Sequence, residues 1–180
     1  MKSFFACLIF IFGMFDLFAQ TDQSMIGTAA PSFELQSVDG KSYSLDQLKG
    51  KLIVLHFATT WCPFCNAEAP NLEQLYKDYR DKNVQVFMID VKEDKGLVEK
   101  AFQKYGFSFP VLLDGTGSVS TKYAPAGVLP DLARDEVPLA SNLIIDKEGK
   151  IRFYSLLNTT NFDAKLAKLK QKLDELLAGN

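Results

Sequence analysis

Two cysteines separated by two residues, in Trp61-Cys62-Pro63-Phe64-Cys65, follow directly on the apolar run Leu52-Ile53-Val54-Leu55-His56-Phe57. A strand that ends in such a pair and continues as a helix places the first sulfur at the helix N-terminus. Unpaired N–H groups and the positive end of the helix dipole favour thiolate over thiol there. The chemistry this predicts is thiol-disulfide exchange. Cys62, with a lowered pKa and an exposed sulfur, attacks; Cys65, one turn along and shielded, closes back on it.

Other uses of a cysteine pair fit less well. Zinc usually takes four ligands, and beyond this pair the chain offers only Cys7 and one histidine. Covalent haem attachment needs histidine after the second cysteine, where Asn66 stands. A purely structural disulfide closed across two residues removes little chain entropy. No metal and no cofactor is therefore expected.

The elements that must hold the pair can be read outward from it. At 180 residues with 47% hydrophobic content, the chain has material for one well-buried domain and too little for two. Residues 1–19 have the pattern of a secretory signal peptide: Lys2, an apolar core from Phe4 to Phe15 that includes Cys7, and a small residue, Ala19, for cleavage. Leu17, three residues before the cut, is larger than preferred, so an uncleaved leader acting as an anchor stays open. Cleavage removes Lys2 and Asp16 together and leaves the net charge at −2. No basic stripe interleaved with aromatics is present, which argues against nucleic-acid binding. The mature chain would keep only the two motif cysteines, as suits an exported compartment where stray thiols mispair.

Residues 20–30 are polar and small and read as a flexible lead-in, with the domain over 31–180. Phe33, Leu35 and Tyr43 flank Asp39-Gly40, a hairpin turn; Ser44 to Leu48 reads as a capped helical turn stopped by Gly50. The strand Lys51 to Phe57 is apolar on both parities except at His56, as in a strand covered on both faces. A helix over Cys62–Arg80 with Pro70 inside it, a strand over Val84–Asp90 and a helix over Lys92–Tyr105 follow. Next come a short extended piece over Phe107–Leu113 and a helical turn over Ser118–Tyr123. Leu143-Ile144-Ile145 and Ile151 to Tyr154 flank a second hairpin turn, and Asn161 is placed to cap a final helix from Phe162 to about Leu177. This order predicts an α/β, thioredoxin-like three-layer sandwich: a mixed central sheet, helices on both faces and an N-terminal β-hairpin.

The chain resembles the TlpA-like branch of the thioredoxin superfamily. The residues that carry the resemblance are Ala30 to Leu35, Asp39-Gly40-Lys41, Leu48 to Lys51, Trp61 to Cys65, Glu68, Pro70, Phe109-Pro110-Val111 and Asp146 to Lys150. The resemblance implies an exported thiol-disulfide oxidoreductase acting on disulfide-containing exported proteins, with a membrane thiol transporter as electron donor. It implies an active-site carboxyl at Glu68, on the same helix face as Cys65, desolvated enough to raise its own pKa and shuttle a proton. Thioredoxins also place a buried carboxylate at the position of His56, so His56 is expected to assist deprotonation of Cys65, and His56→Asn to slow turnover about tenfold to a hundredfold. Trp61, Pro63 and Phe64 are expected to pack beside the site and meet substrate.

The family pattern departs in one place. A Gly-x-Pro-Thr-Thr segment with a cis proline usually leads into the strand before the last hairpin. Here Leu139-Ala140-Ser141-Asn142 does so, with Val137-Pro138 two residues too early. Val137 and Pro138 are the expected docking backbone, with Pro138 the expected cis residue, the absence of any cis proline the next alternative and Pro130 the weaker one. A peroxiredoxin, whose motif is Pro-x-x-x-Thr-x-x-Cys, is matched by Thr59 and Cys62 but has Leu55 in place of its proline. An exported binding module without catalysis is the remaining alternative. Oligomeric state is not legible.

Overall fold

The computed structural model describes residues 23–125, 139–156 and 162–179. Val137, Pro138, Pro130, Asn161 and the proposed leader lie outside them. Five strands form the central sheet in the order β5-β4-β3-β6-β7, where β3 is Leu52–Ala58, β4 Val84–Val91, β5 Val111–Asp114, β6 Ser141–Ile145 and β7 Ile151–Ser155. β3 pairs parallel with β4, and β4 with β5; β6 runs antiparallel to both β3 and β7. A separate antiparallel hairpin, β1 (Glu34–Gln36) and β2 (Ser42–Ser44), turns at Gly40, whose φ of 83° lies in the region glycine reaches without strain.

Every residue of β3 is buried, because alternate side chains serve two cores. Leu52, Val54 and Ala58 join Leu72 and Leu75 of α1 (Pro63–Tyr79), Val98 and Phe102 of α2 (Lys95–Gln103), and Leu169 and Leu173 of α4 (Ala167–Ala178). Ile53, Leu55 and Phe57 join Phe33, Val119 and Tyr123 on the opposite face, under the hairpin and α3 (Ser118–Lys122). The expected sandwich with helices on both faces is present. The short extended piece read over Phe107–Leu113 becomes a full sheet strand, β5, which the hairpin also touches through the Val38 N–H to the Val111 carbonyl.

Several boundaries differ from the sequence reading, each for a local reason. The second helix starts at Lys95 and not Lys92, because Lys92 has φ 60° and Asp94 caps the helix by accepting the Gly96 N–H. The last helix starts at Ala167 and not Phe162: Phe162 packs edge-on against Phe64 at 5.0 Å, and Leu166, just before the helix, has φ 56°. The lead-in is tied down from Gly27 to Ala30, where Gly27 and Ala30 donate to Ile151 and Gly149, and Ile151 donates to Thr28. Pro70 lies inside a helix that continues to Tyr79.

Candidate active site

Cys62 is the N-cap of α1, with extended φ and ψ, and its sulfur accepts the Cys65 N–H at 3.3 Å. Pro63 follows at the first helical position, where its missing N–H would have had no partner. Cys62 and Cys65 are disulfide-bonded. In this oxidised form both sulfurs are enclosed, Cys62 at 3% exposure, contrary to the expectation of an open first sulfur, because Cys62 sits within the helix-side core. What stays open is its neighbours: Pro63 is exposed and Trp61 is 68% exposed. Trp61 thus projects to solvent and does not pack into the site, while Phe64 is half-buried against Phe162.

Below the pair, the Phe57 carbonyl at the end of β3 lies 3.9 Å from the Cys65 sulfur and accepts the Ala140 N–H at 2.9 Å. Ala140, at the foot of β6, holds a φ of 52°, a conformation costing a side-chain-bearing residue roughly 1–2 kcal/mol. The backbone leading into β6 is thereby fastened to the strand that carries the motif. Among the described residues no peptide bond is cis.

Glu68 lies on the buried stripe of α1 that also carries Cys65. It meets His56 of β3 and Asn142 of β6, which face each other in the antiparallel register. Asn142 Nδ2 donates to Glu68 Oε1 at 3.1 Å, and Asn142 Oδ1 lies 2.9 Å from His56 Nδ1. Glu68 Oε2 is 3.4 Å from the same nitrogen. Glu68 Oε2 and His56 Nε2 have no hydrogen-bond partner among the described residues. Burial pushes the Glu68 carboxyl up to about 8, with Asn142 opposing and Asp163 adding to the rise. Burial also pushes the His56 imidazole down to about 4, against the Asn142 hydrogen bond. In this oxidised form the direction of both shifts favours the uncharged states at neutral pH, with Glu68 the acid of the pair and His56 a weak base.

Asn142 was not singled out as a site residue from sequence. The only signal was its place in the segment that departs from the family pattern. A second buried acid also escaped notice. Asp90, at the end of β4 opposite Ala58, has both carboxyl oxygens buried with no hydrogen-bond partner among the described residues; burial first, and then the adjacent Glu93, push it up to about 8. Glu93 takes the Thr60 backbone N–H and, at 2.7 Å, its hydroxyl. Asn66 donates to the Thr60 carbonyl at 3.0 Å and accepts from the Tyr105 hydroxyl. Thr60, in the loop between β3 and Cys62, is thus bonded through its N–H, hydroxyl and carbonyl by Glu93 and Asn66. A groove of about 570 Å³ lined by Tyr76, Phe102, Phe107 and Phe109 includes none of these residues.

These buried groups set a pH dependence of stability. Glu68 and Asp90 hold protons more tightly folded than unfolded, so each removes stability as pH rises from its ordinary value, 4.5 or 3.8, to about 8. His56 acts oppositely and adds stability between about 4 and 6.5. From pH 6.5 to 8, Glu68 and Asp90 are the groups among the described residues whose shifts act, at on the order of 1 kcal/mol per pH unit each. The melting temperature of the oxidised protein is expected to fall steadily from pH 6.5 to pH 8, and Glu68→Gln to flatten the slope. A flat or rising profile in calorimetry would contradict the burial of these carboxyls.

A disulfide at a strand-to-helix junction, at the N-cap of a helix whose buried stripe carries an acid one turn further on, defines a thiol-disulfide oxidoreductase of thioredoxin-like fold. The chain belongs to the AhpC/TSA family, whose model matches residues 26–154. It is 33% identical over 134 residues to the thiol-disulfide oxidoreductase ResA of Bacillus thuringiensis, covering 74% of this chain and 71% of that one. It is also 33% identical to the ResA of Bacillus subtilis, over 75% of this chain and 69% of that one. Among solved structures it is similar to a secreted Mycobacterium tuberculosis disulfide oxidoreductase homologous to Escherichia coli DsbE (26% identity, TM-score 0.63, 80% and 96% of the two chains). A thiol:disulfide interchange protein of Chlorobium tepidum aligns at 25% identity and TM-score 0.67, covering 84% and 97%. Thiol-disulfide exchange is the activity these likenesses support, and the directly bonded Cys62 and Cys65 fit a dithiol cycle.

Proposed function

We propose that this chain is an exported reductase of protein disulfides, cycling between a Cys62/Cys65 dithiol and the disulfide, with Glu68 holding the Cys65 proton. The observation that carries this reading is the buried Glu68 carboxyl, on the helix face of the resolving cysteine and hydrogen-bonded by Asn142. In the first step the Cys62 thiolate attacks a substrate disulfide. A Cys62–substrate S–S bond forms, the substrate's own S–S bond breaks, and the released thiolate takes a proton from solvent. In the dithiol form Glu68 is ionised, its proton having passed to Cys65 on reduction; Cys65 now gives that proton back to the Glu68 carboxylate and attacks the Cys62 sulfur. The mixed disulfide breaks, the substrate leaves with two electrons, and the chain is left oxidised with the proton on Glu68. Reduction by a donor dithiol reverses these steps, and Glu68 returns the proton to the departing Cys65 sulfur.

The direction follows from the residues between the cysteines. Pro63 and Phe64 offer no charged or imidazole donor to stabilise the thiolate strongly, which favours a low potential within the range of about −270 to −120 mV found in this fold. The apolar leader over residues 1–19, cleaved or kept as an anchor, supports a location outside the cytoplasm, and the likeness to a secreted oxidoreductase agrees with that. Among the described residues no helix is long and apolar enough to cross a membrane. The partners are disulfide-containing exported proteins and a membrane-borne thiol donor. Insulin reduction compared with peroxide consumption by the purified protein tests the activity: rapid insulin reduction with slow peroxide clearance is expected, and the reverse would favour a peroxidase.

Trp61 beside Cys62 is the apolar surface left for an incoming polypeptide. Trp61→Ala is expected to lower the efficiency of protein-disulfide reduction roughly tenfold, through KM, by removing an aromatic anchor, while the melting temperature stays unchanged. A large drop in melting temperature would instead make Trp61 part of the core.

A further inference from the structure

Asn142 is buried at 3% exposure, and both ends of its carboxamide are engaged. An amide oxygen only accepts, so with Oδ1 toward His56 it is Nδ1 that carries the imidazole hydrogen. An amide nitrogen only donates, so Glu68 Oε1 is an acceptor, and the proton of the uncharged acid belongs on Oε2, which has no hydrogen-bond partner among the described residues. The position is specified by strand register. Asn142 faces His56 across β3 and β6, and a slip of one residue would turn Leu143 or Ser141 to this face.

We propose that Asn142 is a positioning residue for the proton exchange between Glu68 and Cys65: its carboxamide fixes the acid's proton on Oε2 and holds His56 as the neutral Nδ1–H tautomer. This inference rests on the proposed role of Glu68. The groups that act on the Glu68 carboxyl are His56 from β3, Asn142 from β6, and Asp163 ahead of α4, which opposes ionisation. Of these, Asn142 makes the hydrogen bond to the carboxyl, while the His56 Nδ1–H, 3.4 Å from Oε2, is taken up by the Asn142 amide oxygen. When Cys65 surrenders its proton, Oε2 receives it while Oε1 keeps the Asn142 hydrogen bond. When the disulfide is reduced, the same oxygen returns the proton to the Cys65 sulfur. His56, fixed as Nδ1–H, keeps its hydrogen directed at the amide and does not compete for the proton.

His56 is the only histidine in the chain, so its ring nitrogens can be read without assignment. In the oxidised full-length protein labelled with 15N-histidine and 13C-glutamate, the expected result is an Nδ1–H tautomer and a Glu68 carboxyl titrating near 8. Asn142→Leu is expected to release the tautomer and move that titration up by about one unit, since a hydrogen bond to the charged form is lost. The alkaline limb of the reduction rate should move with it. Asn142→Ser, which removes the carboxamide with less crowding, serves if the leucine variant does not fold. An Nε2–H tautomer in the wild-type protein, or an unchanged titration in a folded Asn142 variant, overturns the proposal. Glu68→Gln separates the two claims. If it leaves the pH dependence of reduction unchanged, the role of Glu68 itself fails; if it abolishes that dependence while the Asn142 variants behave as wild type, only the role of Asn142 fails.

Discussion

Replacing Cys65 by serine is expected to yield a protein that attacks a disulfide once and stays covalently joined to it, whereas Cys62→Ser should neither reduce substrate nor capture it. The asymmetry comes from helix geometry. Cys62 occupies the N-cap, its sulfur already accepts the Cys65 N–H, and exposed Trp61 and Pro63 flank it. A thiolate at that point is stabilised by the helix terminus. Cys65 lies a turn deeper, against the Phe57 carbonyl and on the stripe that carries Glu68. Both sulfurs are enclosed in the oxidised form, so the asymmetry rests on the cap and on the open neighbours and not on exposure of the sulfur itself. Turnover should be lost in both variants, and mass spectrometry of the trapped adduct distinguishes them. Capture by the Cys62→Ser protein and none by Cys65→Ser would reverse the two roles.

Glu68→Gln is expected to slow release of substrate from the mixed disulfide about a hundredfold, the lower end of what a positioned acid or base contributes, and to remove the pH dependence near 8. Glutamine keeps the shape and can still accept from Asn142, but it cannot take the Cys65 proton. The first step, attack by Cys62, should change little, since its departing thiolate is protonated by solvent. His56→Asn should have a smaller effect, less than about tenfold, because burial that holds the imidazole near 4 makes it a poor base at neutral pH. This revises the larger effect expected of His56 from the position it shares with the buried carboxylate of thioredoxins. Stopped-flow single-turnover kinetics with a fluorescent disulfide peptide separates attack from release; equal slowing of both by Glu68→Gln would make the residue structural.

The parts of the fold legible in the sequence were those set by local pattern. The unbroken apolar run of β3, the cysteine pair with Pro63 behind it, and the Gly40 turn follow from periodicity and backbone freedom. Gly149, at φ 80°, completes a turn in which Asp146 accepts the Glu148 and Lys150 N–H groups. What the sequence could not show depends on partners far along the chain. Phe162 looked helical but is drawn onto Phe64, and β5 looked like a connector until β4 paired with it. Trp61, an aromatic beside an apolar strand, read as packing against the site and instead faces solvent. The cluster of Glu68, His56 and Asn142 needed an antiparallel register across 86 residues between His56 and Asn142, which no local pattern encodes.

The most direct test of the account is the equilibrium of the Cys62/Cys65 pair with glutathione at pH 7, read by alkylation of the free thiols. A reductase whose intervening Pro63-Phe64 leaves the thiolate weakly stabilised should have a potential below about −200 mV, in the reducing part of the range for this fold. A value above about −150 mV would mean that the chain gives disulfides to its partners and does not remove them.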